Sequence, residues 1–181
     1  MLHATGIHKA HGDLQVLRGV DVSLAAGEVV SIVGPSGAGK TTLLNVLSTL
    51  DRPDSGSVVV DGIEVAGLRD KALARFRNAH IGFVFQFHQL LPEFNALENA
   101  MLPALVGGRS EAEATEAAMS RLEELGLAAR AKHLPSQLSG GERHVHATQD
   151  LEVAVGLVDS GRMEHVRKLT PKANFAAPNP A

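Results

Sequence analysis

The sequence predicts an α/β fold, and three observations carry that prediction. An apolar run at residues 29–33 is followed by a glycine-rich stretch and then by helical spacing of leucines from Thr42 to Leu50. A second apolar run at 81–85 predicts another buried strand. The chain has 181 residues and is 44% hydrophobic, which suits one sizeable domain.

Composition excludes several classes of protein. There is no cysteine, so neither disulfides nor thiol chemistry is available. The net charge of −3, with both signs interspersed, gives no basic surface for nucleic acid. No apolar run is long enough to span a bilayer, and the N-terminus does not resemble a secretion signal. We therefore expect a soluble protein that stays in the compartment where it is made.

Short strands and turns are predicted on both sides of the glycine-rich stretch. Two apolar or alternating segments, around 2–7 and 16–24, are separated by a turn at 11–13. Residues 57–60 form a further strand candidate that ends in Asp61-Gly62, a hairpin-turn dipeptide.

The glycine-rich stretch matches a phosphate-binding loop in both residue types and context. Glycines allow successive backbone N–H groups to point at phosphate oxygens, and the helix that follows adds its positive N-terminal dipole. A lysine in this pattern supplies charge for the β- and γ-phosphates, and the next hydroxyl is a ligand for Mg²⁺. The alternative is a strand-to-helix turn with no ligand. The loop consists of Gly34, Pro35, Ser36, Gly37, Ala38, Gly39, Lys40 and Thr41.

The second half of the chain reads as mostly helical. Residues 70–78 have helical spacing, and Ser110 with Glu113 predicts a capping box that opens a helix ending at Gly126. Residues 87–103, from Phe87 to Pro103, look like a loop rich in apolar residues. Two interpretations of that loop stay open at this point: a small satellite core, or a docking surface for a partner.

A second glycine motif, Leu138-Ser139-Gly140-Gly141-Glu142, lies about a hundred residues after the loop. It resembles the signature motif of ABC-type ATPases, and Gln86 resembles their Q-loop. Residues 85–94 and 96–99 are similar to the ATP-binding subunit of the lipoprotein-releasing system, whose pattern is largely shared by macrolide-export and cell-division subunits. A small-molecule kinase with a phosphate loop would leave the signature motif unexplained.

The resemblance implies a P-loop NTPase fold of the ABC ATPase type. It would have a parallel core sheet, an N-terminal antiparallel β subdomain and a helical subdomain at about 87–142. The nucleotide-binding domain would cover 1–167, and 168–181, rich in Pro, Ala and Asn, would be a disordered tail. The expected function is to bind Mg-ATP and drive a transmembrane partner from the cytoplasmic face of a bacterial inner membrane.

The resemblance also assigns roles to residues. Thr42 would join the loop in binding ATP, and His11 would stack on adenine in place of the usual tyrosine. Gln86 and Thr41 would contact Mg²⁺, and the transmembrane subunit would dock on residues 87–103. In a homodimer, the contacts to the other subunit's γ-phosphate would come from Ser139, Gly140 and Gly141.

After Glu142 the sequence departs from the family pattern. The apolar strand that ends in the Mg²⁺-holding Asp and the catalytic Glu is missing, so no catalytic residue is assigned. Gln149 stands where a switch histidine is expected. Neither 58–61 nor the pair His144 and His146 is expected to replace a metal ligand. Hydrolysis should therefore be impaired.

The alternative function is a non-catalytic nucleotide-binding module, or a non-functional remnant of such a subunit. Loss of a central strand would leave backbone groups unpaired unless neighbouring segments close the gap. Short strands at 153–158 and 163–166 are candidates for this closure.

Overall fold

A computed structural model describes residues 1–84, 89–145, 154–156 and 167–169. The chain forms two compact units, one made of 1–73 and 157–181 and the other of 74–156. The expectations for Gln86, Phe87, His146 and Gln149 fall outside the described residues.

The first unit contains the predicted antiparallel β subdomain. Its strands are β1 (Leu2–His11), β2 (Leu14–Leu24), β4 (Ser55–Val60) and β5 (Ile63–Glu64), in the order β2-β1-β4-β5. The residue pairs Leu2 with Val60 and Ala4 with Val58 fix the register of β1 against β4, and all four are buried. The predicted hairpin turn at Asp61-Gly62 is confirmed, which excludes 58–61 as a core strand ending in a metal ligand.

A separate parallel pair in the first unit leads to the phosphate loop. Strand β3 (Val30–Ile32) pairs with β8 (Arg167–Leu169), and helix α1 (Lys40–Leu47) follows the loop. The expectation that 29–33 is fully buried was wrong, because β3 is half-buried and Val29 is 53% exposed. Helix α1 starts and ends earlier than the leucine spacing suggested, and Leu50 lies exposed beyond it.

Helix α2 (Asp70–His80) leads into the second unit, where β6 (Gly82–Val84) pairs in parallel with β7 (Ala154–Gly156). Strand β7 lies within the closing segment predicted at 153–158. The other candidate, 163–166, lies outside the described residues, and β8 begins directly after it. Among the described residues, the parallel strands are thus arranged as two pairs, each completed by a segment that follows the signature motif.

An antiparallel pair of helices forms the rest of the second unit's core. These are α3 (Ala96–Val106) and α4 (Glu111–Glu124). Ala100 and Met101 of α3 pack against Ala114 and Ala118 of α4. The capping box of Ser110 and Glu113 is confirmed at the start of α4.

The expectation that 87–103 is a loop was wrong from residue 96 onward. Asn95 and Glu98 form a capping box that starts α3, and the helix continues through Pro103. The Asn78 side chain donates a hydrogen bond to the Pro103 carbonyl at 3.0 Å and so supports the end of this helix. Two short 3-10 turns, Ala128–Arg130 and Pro135–Gln137, then lead to α5 (Gly140–Val145).

Candidate functional site

Two of the three glycines in the predicted phosphate loop adopt a left-handed backbone conformation, whereas Gly34 does not. Gly37 and Gly39 have φ angles of 78° and 84°, in the left-handed region that favours glycine. Gly39 is the N-cap of α1 and supplies no side-chain acceptor to the first turn. The leading N–H groups of a helix have no intrahelical partner, so those of Lys40 and Thr41 are available to an anion.

Lys40 lies over this loop. Its ammonium group donates hydrogen bonds to the carbonyl oxygens of Gly34 at 2.9 Å and Pro35 at 2.7 Å. These bonds hold the positive charge within the loop and beside the N-terminus of α1. The arrangement joins a cation, free N–H groups and a helix dipole, which together suit a phosphate group.

The remaining loop residues differ in their exposure to solvent. Ser36 and Thr41 are exposed, whereas Ala38 is buried. Thr42 is half-buried in the first turn of α1. The exposed hydroxyl of Thr41 fits Mg²⁺, a cation that takes oxygen ligands and keeps several waters. Across the described residues, no group of three His, Asp or Glu side chains forms a metal site.

His11 lies at the exposed end of β1 in the first unit. This end of the strand is tied down by Lys9, whose ammonium contacts Asp51 at 2.8 Å and the Arg52 carbonyl at 2.7 Å. The Lys9 contact, with a smaller contribution from His11, lowers the pKa of Asp51 below its ordinary value. His11 is therefore held on an anchored hairpin next to the segment that follows α1.

The signature motif lies in the second unit. Ser139 precedes α5, and its N–H donates to the Glu142 carboxylate at 2.7 Å while its hydroxyl accepts from the Glu142 N–H at 3.3 Å. Arg130 donates to the other carboxylate oxygen of Glu142 at 3.2 Å. The Ser139 hydroxyl and N–H lower the pKa of Glu142, and Arg130 adds to the effect. Gly140 and Gly141 are exposed.

Part of the expected docking segment is held by one buried residue, Asn99. Its side-chain amide accepts from the Leu91 N–H at 2.9 Å and donates to the carbonyls of Leu91, Phe94 and Asn95. Leu91 and Phe94 themselves are 44% and 37% exposed. Of the two interpretations, the satellite core applies to the α3 residues, while the loop before α3 presents exposed apolar side chains.

Comparison with known proteins gives the family. The model of the family described as ABC transporter matches residues 17–158. This chain belongs to the ABC transporter family. None of the helices in the described part of the chain is both long and apolar enough to cross a membrane.

Several curated relatives of this ABC family member share one name. The lipoprotein-releasing system ATP-binding protein LolD of Bacteroides fragilis is 58% identical over 143 residues, which are 79% of this chain and 66% of the relative. LolD of Porphyromonas gingivalis is 52% identical, covering 88% of this chain and 70% of the relative. This chain therefore spans about two thirds of the length of the LolD proteins that it matches.

A solved structure supports the fold. The ATP-binding cassette MJ0796, determined as a dimer in a post-hydrolysis state with ADP and Pi, matches with a TM-score of 0.72 and 37% sequence identity. The match covers 81% of this chain and 67% of the cassette. The ABC ATPase fold predicted from the sequence is confirmed.

Two features of this ABC family member were not predicted from the sequence. One is Asn99, whose position among apolar residues of α3 was the available signal. The other is the contact between Arg130 and Glu142. The three-residue spacing of Ser139 and Glu142 is that of a capping box. It indicated the contact between these two residues but not the one with Arg130.

Proposed function

We propose that this chain is the ATP-binding subunit of an ABC transporter of the lipoprotein-releasing type. The observation that carries the proposal is the loop before α1, where Lys40 bonds to the Gly34 and Pro35 carbonyls beside an uncapped helix N-terminus. An ATP triphosphate would place its β- and γ-phosphates against this group. The LolD name of the relatives supports the type of transporter.

Thr41 would hold Mg²⁺, and the family resemblance assigns Gln86 as a further contact to the ion. The ion would supply charge neutralisation for the phosphates. His11 would face the adenine, and imidazole stacks on a base less well than tyrosine does. In a homodimer, Ser139, Gly140 and Gly141 would contact the nucleotide held by the other copy.

Hydrolysis is expected to be weak. The sequence between Glu142 and the end of the chain contains no run of four apolar residues followed by Asp and Glu. A general base typically contributes about 10²–10⁴ in rate, so its loss leaves ATP bound for longer. The absence of this block also favours the second candidate, a nucleotide-binding module that regulates its partner without turnover.

The partner would dock on the loop that ends at α3. Leu91 and Phe94 are exposed apolar residues on backbone that Asn99 fixes, and a fixed apolar surface suits a protein partner better than a mobile one. The expected partner is a transmembrane subunit, which would place this chain on the cytoplasmic face of the inner membrane.

Binding of Mg-ATP tests the nucleotide site. A charge-assisted hydrogen bond contributes about 1.5–3 kcal/mol, so Lys40→Ala should weaken Mg-ATP binding roughly tenfold to a hundredfold. Lys71→Ala removes an exposed lysine of α2 and is the matched control, with unchanged affinity expected. Equal affinity of the parent and Lys40→Ala, measured by calorimetry, would refute the proposed site.

Complex formation tests the docking surface. The chain is co-expressed with the transmembrane subunits of a lipoprotein-releasing system, and the complex is isolated in detergent. Phe94→Asp should reduce the recovered complex at least tenfold, since it buries a charge in an apolar contact. Val106→Asp changes an apolar residue that is 77% exposed outside this surface and should have no effect. Equal recovery for both variants would argue against docking at Phe94.

A further inference from the structure

We propose that Arg130 is a positioning residue for the signature serine, Ser139, and that it acts through Glu142. The inference rests on the proposed function, in which Ser139 contacts nucleotide held by a second copy. It adds a residue outside the signature motif to the groups that determine that contact.

The contacts form a continuous chain from the guanidinium to the serine. Arg130 Nε donates to Glu142 Oε1 at 3.2 Å, and the other carboxylate oxygen accepts from the Ser139 N–H at 2.7 Å. The Glu142 N–H then donates back to the Ser139 hydroxyl oxygen at 3.3 Å. The Glu142 carboxylate therefore joins Arg130 to the backbone of Ser139, and the Glu142 backbone N–H binds the Ser139 hydroxyl.

Arg130 stands on a firmly anchored segment. Ala131, its neighbour, is buried against Leu122 and Leu127. The carbonyls of Ala131 and His133 accept from the N–H groups of Leu97 and Ala96 at 2.8 and 2.9 Å, at the start of α3. Arg130 also contacts the His133 ring at 3.4 Å.

Within the signature motif Leu138 is buried, whereas Ser139, Gly140 and Gly141 are exposed. Helix α5 has six residues, and a helix of this length gains little stability from its own hydrogen bonds. Gly140 and Gly141 have no side chains with which to pack. Beyond the buried Leu138, the Glu142 carboxylate holds the Ser139 N–H, and Arg130 contacts that carboxylate. Removal of Arg130 should therefore loosen the turn at 139–142 without reaching the phosphate loop.

The experiment compares the full chain with Arg130→Ala, Glu142→Gln and the double variant. Arg121→Ala is the control, since Arg121 also pairs with a glutamate of the second unit, Glu124 at 2.7 Å. Three quantities are measured: amide exchange at Ser139 without nucleotide, Mg-ATP affinity, and the dissociation constant of the Mg-ATP dimer by sedimentation.

Arg130→Ala should raise amide exchange at Ser139 roughly threefold to fivefold, the size expected for a half-exposed ion pair. Because a two-fold dimer contains the contact twice, the dimer should weaken by about tenfold. Mg-ATP affinity should not change. Arg130→Lys should restore part of the dimer affinity, and the double variant should dimerise no worse than Glu142→Gln.

Three results would overturn the proposal: unchanged exchange at Ser139 in Arg130→Ala, an additive loss in the double variant, or an equal loss in Arg121→Ala. Faster exchange at Ser139 with unchanged dimer affinity would also overturn it. If the parent binds Mg-ATP but never dimerises, the proposed role of Ser139 fails, whereas the exchange data still decide whether Arg130 fixes the serine.

Discussion

A single residue, Gly56, shows how closely β1 and β4 approach each other. Its φ is +102°, and a Cβ there would lie 2.5 Å from the Gly6 carbonyl oxygen. Since neither backbone can yield without breaking the β1–β4 register, Gly56→Ala should lower the free energy of unfolding by about 2–4 kcal/mol. Urea unfolding measures the loss.

Gly12→Ala is the control for this prediction. Gly12 also has a positive φ, +59°, but no neighbour within 4 Å of the added Cβ. Its cost should be about 1 kcal/mol, from backbone strain alone. Equal losses of unfolding free energy in the two variants would show that the close approach of Gly56 to Gly6 does not add to the destabilisation.

Residues with a strong local signature could be predicted, and those defined by distant contacts could not. The loop from Gly34 to Thr41 and the cap at Ser110 take their conformation from neighbours in sequence, so spacing alone indicated them. Asn99 and Arg130 gain their roles from backbone or side chains that folding brings to them. The sequence shows the type of each residue, but it does not show which distant group the side chain contacts.

Among the helices, α4 depends on its N-terminal cap. The Ser110 hydroxyl donates to the Glu113 carboxylate at 2.6 Å, and the Ser110 N–H donates to it at 2.8 Å. Ser110→Ala should cost about 1 kcal/mol at pH 7, whereas Ser120→Ala, on the exposed face of the same helix, should cost nothing. Thermal unfolding at several pH values measures both.

The cost of Ser110→Ala should depend on pH. The Ser110 hydroxyl and then its N–H lower the pKa of Glu113 below the ordinary value. The contribution is thus present at neutral pH and is lost as the pH falls from about 4.3 through the lowered pKa. A cost that stays constant down to acid pH would contradict the charged cap.

The parallel strands of the described residues form two short pairs. A proline has no N–H and a fixed φ, so Val155→Pro should disrupt β7 and raise amide exchange at Phe83 roughly tenfold or more. It should leave Ser31 of β3 unaffected. Lys168→Pro in β8 should have the reverse effect. Unchanged exchange in both variants would mean that β7 and β8 do not support their partners.

Element types were predicted better than their ends. Strands 2–7 and 16–24 extend further than their apolar residues, because backbone pairing continues into the polar hairpin end. Helix α3 was missed because Pro103 and the apolar residues before it suggested a loop. The capping box at Asn95 and Glu98 was visible in the sequence, and it outweighs one interior proline.

For the whole molecule, we propose that nucleotide binding depends on the phosphate loop, whereas hydrolysis would need a block that is absent after Glu142. The phosphate loop is formed within the first unit from residues that are adjacent in sequence, so it does not need the block that is absent after Glu142. By the family resemblance, the carboxylates for water activation would belong to that block. We therefore expect a protein that binds Mg-ATP and retains it.

The central claim is tested by identifying the nucleotide that stays bound. The chain is incubated with radiolabelled Mg-ATP, and bound nucleotide and released phosphate are followed in parallel with full-length Bacteroides fragilis LolD. We expect bound ATP in the parent, little in Lys40→Ala, and phosphate release about 10²–10⁴-fold slower than in LolD. Release as fast as in LolD, or no ATP bound at all, would contradict this expectation.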